Sequence, residues 1–346
     1  MLPIDARDLN EICEQTESLW KELRGQRIFI TGGTGFFGCW LLESFAAANR
    51  RFGLNLSVTV LSRSPEAFRQ RCPHLAENPA IRLVHGDILK PYTFPDGEFP
   101  YVIHAAADYQ GTDDVRRIVS SISEGTMNTL EFAASHGTRK FLMVSTGAVY
   151  GEQPPLLDQI PEDYLPGAEP RLTRSVYGEA KRAAENLCGV YATNSFECKI
   201  ARCFAFVGPH LPMDGKYAIG NFIQSALKSQ PIRISGDGTP LRSYLYGTDL
   251  VAWLLTVLLK APSLRPFNNG SDQPISIRDL AAEVKDSLGS NVEVEIMGTP
   301  KPWTPPAQYV PSVQRAYDEL GLKQTVTLRA GIQRTAEWHG RNKNSE

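Results

Sequence analysis

A tyrosine and a lysine stand four residues apart, at Tyr177 and Lys181, in a segment that is predicted to be helical over residues 177–193. Residues spaced in this way share one face of a helix, so both side chains can act on one bound molecule. Free tyrosine has a pKa of about 10, and a nearby ammonium favours the phenolate. The spacing therefore predicts a catalytic acid/base at Tyr177, which would take a proton from a substrate hydroxyl.

A hydroxyl side chain is expected next to this pair. Val144, Ser145 and Thr146 end a predicted strand that begins at residue 140. Thr146 would hydrogen-bond the substrate oxygen that Tyr177 deprotonates and would orient it. Lys181 would also anchor the ribose of an oxidised nicotinamide, which takes the hydride from the substrate carbon. The predicted catalytic residues are therefore Thr146, Tyr177 and Lys181.

A glycine-rich turn between a strand at 27–30 and a helix at 38–49 indicates the dinucleotide cofactor that such chemistry needs. Its glycines fit both G-x-G-x-x-G and G-x-x-G-x-x-G, which permit a tight turn and a close approach to a pyrophosphate. The helix that follows presents unpaired N–H groups to the phosphates. An ordinary glycine-rich turn is the alternative. The predicted cofactor-binding residues here are Gly32, Thr34, Gly35, Phe36, Phe37 and Gly38.

The end of the second strand should select the cofactor, because an acidic residue there would bind the ribose hydroxyls of NAD. Ser62 and Arg63 stand there instead and suit a 2′-phosphate, so NADP is favoured over NAD. The alternative is that Arg63 is solvated and the protein takes NAD. Asp87 and Ile88, after the third strand, are placed to touch the adenine, although Asp87 also suits a helix cap. Ala105, Ala106 and Ala107 end the fourth strand and, with Tyr177 and Lys181, complete the predicted cofactor-binding residues.

Short apolar strands that alternate with helices along the sequence are predicted to position the candidate site residues. They predict an α/β fold with a doubly wound parallel sheet of the Rossmann type and a smaller C-terminal substrate-binding lobe. Such sheets bind ligands beyond the carboxyl ends of their strands, where the candidate residues fall. The predicted strands are 27–30, 56–61, 81–84, 101–104, 140–144 and 198–202, and the predicted helices are 8–24, 38–49, 113–135, 177–193, 218–229, 249–260 and 278–288.

The predicted domain boundary follows a change of amino-acid composition near residue 205, where proline, glycine and aromatic residues become more frequent. The dinucleotide-binding domain spans 25–204, with a return at about 241–260. The substrate-binding lobe takes 205–240 and 261–335, and residues 1–24 form an N-terminal helical extension.

Composition excludes several other classes of partner. The net charge of the 346-residue chain is −2, so nothing points to nucleic acid or to an anionic membrane. The six cysteines lack zinc-site spacing, so free thiols and no metal are expected. No apolar run reaches a membrane-span length, and the N-terminus lacks the pattern of a signal peptide. A cytoplasmic location is therefore expected.

The chain resembles the extended short-chain dehydrogenase/reductases, the NAD-dependent epimerase/dehydratase family of nucleotide-sugar enzymes, over about residues 25–325. The motifs that carry the resemblance are 31–38, 86–87, 104–107, 144–151, 177–181, 202–209, 236–238 and 242–249. The resemblance implies a nucleoside-diphosphate sugar, and oxidation or reduction at sugar C4. Arg242 matches the family arginine that grips the diphosphate. Asn221 and Phe222 lie in the segment that usually lines the nucleotide pocket. The alternative is that Asn221 only begins a helix and that Phe222 is a core aromatic residue.

Departures from the family pattern narrow the chemistry. Dehydratases carry an Asp-Glu pair directly after the catalytic threonine, and decarboxylases keep the glutamate. Gly147 and Ala148 stand there in this chain. Neither transfers a proton, so dehydration and decarboxylation are disfavoured. Ile122 and Ala205 replace two asparagines of the family, so substrate placement is expected to differ from that of the best-known members.

The sequence therefore predicts an NAD(P)-dependent nucleotide-sugar epimerase that acts at C4. An NADPH-dependent 4-keto nucleotide-sugar reductase is the first alternative, since Ser62 and Arg63 favour NADPH. A reductase of a non-sugar carbonyl and a non-catalytic NADP-sensing module are further alternatives, and the intact Tyr177–Lys181 pair argues against the sensing module. The resemblance also suggests a homodimer through the helices at 113–135 and 177–193.

Overall fold

The computed structural model describes residues 1–92, 97–107, 114–165, 167, 171–192, 196–215, 217–300 and 302–343. The chain divides into two compact units, which are described in turn. The first comprises Met1–Gly151, Pro166–Cys203 and Val251–Phe267, and the second comprises Glu152–Leu165, Phe204–Leu250 and Asn268–Glu346. Within the described part of the chain, no helix has the length and apolar character that crossing a membrane requires.

A seven-stranded sheet organises the first unit. Its strands are β1 Arg27–Thr31, β2 Ser57–Ser62, β3 Ile81–His85, β4 Tyr101–His104, β5 Lys140–Thr146, β6 Glu197–Cys203 and β11 Pro266–Asn269. Their order is β11-β6-β5-β4-β1-β2-β3, and every pairing from β3 through to β6 is parallel. The doubly wound parallel sheet predicted from the sequence is confirmed. The strand order reverses between β1 and β4, the point at which such sheets bind their ligands.

Helices cover this sheet, and the strands are apolar because both faces are buried. Phe29 on β1 packs against Phe132 with ring centroids 4.2 Å apart, and all four residues of β4 are buried. The helices are α1 Ala6–Gln15, α2 Glu17–Trp20, α3 Phe36–Phe52, α4 Pro65–Arg71, α5 Pro73–Ala76, α6 Val115–Ser135, α7 Val176–Tyr191 and α9 Gly247–Lys260.

The N-terminal extension differs from the single helix predicted over 8–24. The helix ends after Gln15, where Thr16 leaves helical geometry at ψ 15° and its hydroxyl donates to Ile12 O. A four-residue helix, α2, and a 3-10 turn over Lys21–Leu23 follow. Apolar periodicity persists across this break, so the pattern alone did not reveal it.

Other predicted helix ends moved by a few residues. The helix predicted at 38–49 begins two residues earlier, because Gly35 directly precedes its first turn. The helix predicted at 113–135 begins at Val115, where the Asp114 carboxylate accepts from Arg116 N and Arg117 N. Residues 113 and 193, at the predicted ends of two helices, lie outside the described residues.

The second unit is built from short strands and helices. Strands β7 Phe206–Val207 and β10 Leu245–Tyr246 pair, as do β8 Ile232–Ile234 and β13 Val294–Ile296. A three-stranded sheet has the order β12-β9-β14, made of β12 Ile275–Ser276, β9 Leu241–Arg242 and β14 Gln308–Tyr309. The helices are α8 Ala218–Leu227, α10 Ile277–Ser287, α11 Gln314–Leu320 and α12 Leu328–Lys343.

Candidate active site

The glycine turn lies at the point where the strand order reverses. Gly32 has φ 75°, and a Cβ there would come within 2.6 Å of the backbone of Ala105 and Ala106, at the end of β4. A Cβ on Gly38 would come within 2.3 Å of the Gly33 backbone, and one on Gly33 within 2.6 Å of Val60. The turn therefore requires glycine for close packing of backbone, as a pyrophosphate cradle does.

Helix α3 starts from this turn. Gly35 precedes its first residue, Phe36, and among the described residues no side chain caps that first turn. Its first N–H groups and positive dipole end suit an anion. Thr34 and Phe37 lie partly buried on either side of this start. These features fit the pyrophosphate of a dinucleotide.

Arg71, at the end of α4, is a neighbour of this turn that the sequence did not reveal. Its guanidinium donates a hydrogen bond to Thr34 O across 37 residues of chain. Helix α4 holds one other arginine, Arg69, and no sequence signal singles out Arg71 for this contact, which depends on how the helix packs. It brings a fixed cation to the glycine turn.

The end of β2 carries the residues predicted to select the cofactor. Ser62 is buried and its Oγ accepts from Ser64 N at 3.2 Å, while Arg63 is exposed. After β3, Asp87 accepts from Leu89 N at 3.0 Å within a turn. Among the described residues no helix begins between β3 and β4, so this bond is not the helix cap that was its alternative role. Ile88 contacts helix α6, because a Cβ on Gly125 would meet its Cδ1 at 2.8 Å.

His104 fixes the end of β4, next to the partly exposed Ala105–Ala107 segment. Its Nδ1 lies 2.7 Å from Thr31 Oγ1 and its Nε2 lies 3.1 Å from Thr126 Oγ1. Burial, together with the charge of Lys181, lowers the pKa of His104 to about 3. The imidazole is therefore neutral and ties β1, β4 and α6 together beneath the alanines.

Lys181 is held against the end of β5. Its Nζ donates to Val144 O at 2.9 Å, and the residue is only 3% exposed. Burial lowers the pKa of Lys181 from 10.5 to about 8, against smaller opposing effects of Cys203, Glu185 and Cys188. Tyr177 lies one turn earlier on α7, partly buried against the apolar core of the unit.

Thr146 ends β5 and begins a 3-10 turn, Gly147–Tyr150. Its Oγ1 accepts from Ala148 N at 3.2 Å. Helix α7 packs directly on this turn, because a Cβ on Gly178 would meet Ala148 O at 2.3 Å. The contact joins the turn after Thr146 to the residue after Tyr177. We call residues 144–150 and 177–185 the strand-end corner.

The predicted substrate residues Asn221, Phe222 and Arg242 belong to the second unit. Asn221 is exposed near the start of α8 and donates to Gly215 O at 3.1 Å, while Phe222 is buried. Arg242 is partly buried on β9 opposite Tyr309, and its Nη1 donates to Leu241 O at 2.7 Å.

Comparison with known proteins agrees with these features. The model of the NAD dependent epimerase/dehydratase family matches residues 28–270. UDP-glucuronic acid decarboxylase 1 of Arabidopsis thaliana is 30% identical over 310 residues, covering 89% of this chain and 68% of that protein.

Solved structures share the fold. UDP-glucose 4-epimerase of Thermotoga maritima, solved with UDP-glucose, superposes with a TM-score of 0.77 at 22% identity, over 92% of this chain and 100% of that one. UDP-glucuronic acid 4-epimerase of Bacillus cereus, solved with UDP-glucuronic acid and NAD, gives 0.75 at 24% identity, with 92% and 100% covered.

Proposed function

The chain belongs to the NAD-dependent epimerase/dehydratase family, and from this premise we propose that it is a nucleotide-sugar epimerase that acts by hydride transfer at sugar C4. As a member it is an enzyme of the extended short-chain dehydrogenase/reductase group. One observation supports the proposal: Lys181 bonds Val144 O on the strand that Thr146 ends, Gly178, next to Tyr177, packs on the turn after Thr146, and the two residues after Thr146 lack any titratable group.

The proposed roles follow from the geometry of the strand-end corner. When bound, the nicotinamide would take the hydride from C4 and return it to the other face of the keto sugar. Tyr177 takes the proton of the C4 hydroxyl and later gives it back, and Thr146 orients that oxygen. Lys181 uses one of its three N–H donors on Val144 O. Its other donors are available to the nicotinamide ribose, and its charge favours the Tyr177 phenolate.

Decarboxylation is the second candidate, because relatives that are 29% and 30% identical, and of which this chain covers 67% and 68%, are UDP-glucuronic acid decarboxylases. Gly147 and Ala148 argue against it, since they supply no acid or base at the position where decarboxylases keep glutamate. UDP-glucuronic acid separates the two candidates. An epimer with the carboxylate intact, identified by NMR, supports the epimerase, whereas release of CO2 and a UDP-pentose would replace it with the decarboxylase.

A 4-keto reductase stays the alternative that Ser62 and Arg63 favour. It differs in stoichiometry, because reduction consumes one NADPH for each keto sugar, whereas epimerisation returns the hydride. Absorbance of NADPH during turnover of a 4-keto nucleotide sugar measures this directly. Stoichiometric oxidation would contradict the epimerase.

NADP is the proposed cofactor. Arg63 is exposed at the end of β2, and its neighbours in the sequence, Ser62 and Ser64, are not acidic, although the B. cereus neighbour was solved with NAD. We expect Arg63→Ala to weaken NADPH binding about tenfold and to leave NADH binding unchanged, the loss of one charged hydrogen bond to a phosphate. Arg69→Ala is the matched control, because Arg69 is half exposed on α4 and pairs with Glu66. Equal losses for NADPH and NADH would contradict the proposal.

The substrate-binding lobe is proposed to lie in residues 205–240 and 261–335. Arg242, two residues beyond the first of these ranges and within the second unit, is proposed to grip the diphosphate. Arg242→Ala should weaken UDP binding about tenfold or more, measured by calorimetry. Arg233→Ala is the control, because Arg233 pairs with Glu295 on an exposed surface of the same unit. Equal UDP affinity for both variants would count against Arg242.

A homodimer through helices α6 and α7 is also proposed. Val115, Val119 and Met127 on α6 are each about two-fifths exposed, and Val190 on α7 is 68% exposed. Exposed apolar side chains on neighbouring helices suit a protein interface. Met127→Glu should convert a dimer into a monomer by light scattering, and a wild-type monomer would contradict the proposal.

A further inference from the structure

A buried ion pair between Glu185 and Arg202 adjoins the strand-end corner. Arg202 Nη2 lies 2.7 Å from Glu185 Oε2, and its Nε donates to both carboxylate oxygens at 3.1 and 3.3 Å. The side chains are 12% and 8% exposed. Burial opposes the charge of Arg202, but the bonds and charge of Glu185 raise the pKa of Arg202 above its ordinary value. A buried pair of this kind is weak evidence for stability, so another role must be considered.

The pair holds both flanks of Thr146. On one side, Ser145 Oγ donates to Glu185 Oε1 at 2.5 Å. On the other, Arg202 Nη1 donates to the hydroxyl of Tyr150 at 3.0 Å, and Arg202 Cζ lies 4.8 Å from the centre of that ring. Thr146 and the turn that follows it are therefore anchored at both ends to one ion pair.

The same pair fixes helix α7. Glu185 lies one turn beyond Lys181 and two turns beyond Tyr177, on one face of the helix. Lys181 bonds Val144 O and Glu185 bonds Ser145, so consecutive residues of α7's inner face contact consecutive residues of β5. A one-turn slip of the helix is incompatible with both bonds.

Four titratable groups face Lys181: Cys203 from β6, Glu185 and Cys188 from α7, and His104 from β4. Burial raises the pKa of the Cys203 thiol, and a hydrogen bond with Cys198 together with burial raises that of Cys188. The two thiols and the imidazole are uncharged at neutral pH. Glu185, which pairs with Arg202, is the carboxylate among the four, and it supports the Lys181 ammonium.

We propose that Glu185 and Arg202 are positioning residues, which hold Thr146 and Tyr177 in register and keep a negative charge one turn from the Lys181 ammonium. This inference rests on the proposed function for its kinetic consequence. Its competitor is an ion pair that only stabilises the fold.

The test is Glu185→Gln, which keeps the shape of the side chain and removes its charge. Ultraviolet absorbance follows phenolate formation with pH in the NADP-loaded protein, and the same protein carrying Tyr177→Phe is subtracted to isolate Tyr177. Removal of the Glu185 charge changes the field at Lys181 and Tyr177, so it should shift the Tyr177 midpoint by about 0.5 pH unit or more. With UDP-glucuronic acid, kcat should fall about tenfold or more while KM changes less than about threefold.

Three variants decide between positioning and fold stability. Glu14→Gln removes an exposed pair with Arg51 and should change neither readout. Glu185→Asp should recover part of the lost kcat because the carboxylate is retained. Should Glu185→Gln fail to fold, Ser145→Ala and Tyr150→Phe each delete one bond of the network, and each should lower kcat about threefold.

A Glu185→Gln protein with the wild-type Tyr177 midpoint and kcat would overturn the inference, as would unchanged values in both single-bond variants. The absorbance titration uses no sugar. If wild-type protein turns over no nucleotide sugar, the proposed function fails, while the Tyr177 midpoint still decides the role of Glu185.

Discussion

The glycine turn at 32–38 and the strand-end corner lie in the same unit, yet different parts of the chain build them. The turn depends on the absence of side chains at three glycines: Gly32 and Gly38 pack on backbone, and Gly33 packs on the Val60 side chain. The corner is built from side chains that reach across 37 and 40 residues of sequence to bond Val144 and Ser145. Substitutions in the turn should therefore affect cofactor binding. Substitutions in the corner should affect kcat and the protonation of Lys181 and Tyr177.

The largest effect is expected at Gly32. Gly32→Ala places a Cβ at positive φ within 2.6 Å of the Ala105 backbone. Strain of about 3 kcal/mol or more corresponds to a cofactor Kd raised by over roughly 100-fold. Fluorescence titration with NADPH measures it.

Gly25→Ala is the matched control, because Gly25 has φ 68° with nothing within 4 Å of a Cβ. It carries the same backbone strain without the overlap and should leave the Kd within about twofold. Equal loss in both variants would mean that strain, and not close approach, explains the Gly32 result.

The next effect is a pH dependence that arises in the corner. The pKa of Lys181 is about 8 in the folded protein against 10.5 ordinarily. Between these values the unfolded chain binds more protons, so the free energy of unfolding rises with pH, by on the order of 3 kcal/mol. Below pH 8 this contribution is constant.

Lys181→Met removes this contribution, and denaturant titrations of both proteins isolate it from other groups. The stability of wild type relative to Lys181→Met should increase from pH 8 to 10.5. A difference independent of pH would show that Lys181 titrates normally.

The smallest effect is expected at Gly178. Gly178→Ala would press against Ala148 O at 2.3 Å and shift α7 on its turn. Such a misplacement should lower kcat about tenfold with little change in cofactor Kd.

Gly189→Ala, on the same helix, has nothing within 4 Å of its Cβ. It should stabilise the protein by about 0.5–1 kcal/mol without changing kcat. A kcat unchanged in Gly178→Ala would contradict the tight seating of α7 on Ala148.

The two regions also differ in how far the sequence predicts them. Glycine spacing beside a strand and a helix is local, so the turn could be placed from Gly32 to Gly38 alone, and the parallel sheet followed from the alternation of elements. The Glu185–Arg202 pair joins a helix to a strand across 17 residues, and Arg71 reaches Thr34 only through packing. No local pattern encodes such contacts. The break at Thr16 was missed for a related reason, because the apolar pattern continues across it.

The most direct test of the proposed hydride transfer uses UDP-glucuronic acid deuterated at C4, incubated with the NADP-loaded enzyme in ordinary water. The account predicts that the C4 epimer forms with deuterium retained at C4, because the same hydride returns to the opposite face, and that Tyr177→Phe lowers this rate about 100-fold or more. Loss of deuterium to solvent, or release of CO2 in place of an epimer, would contradict it.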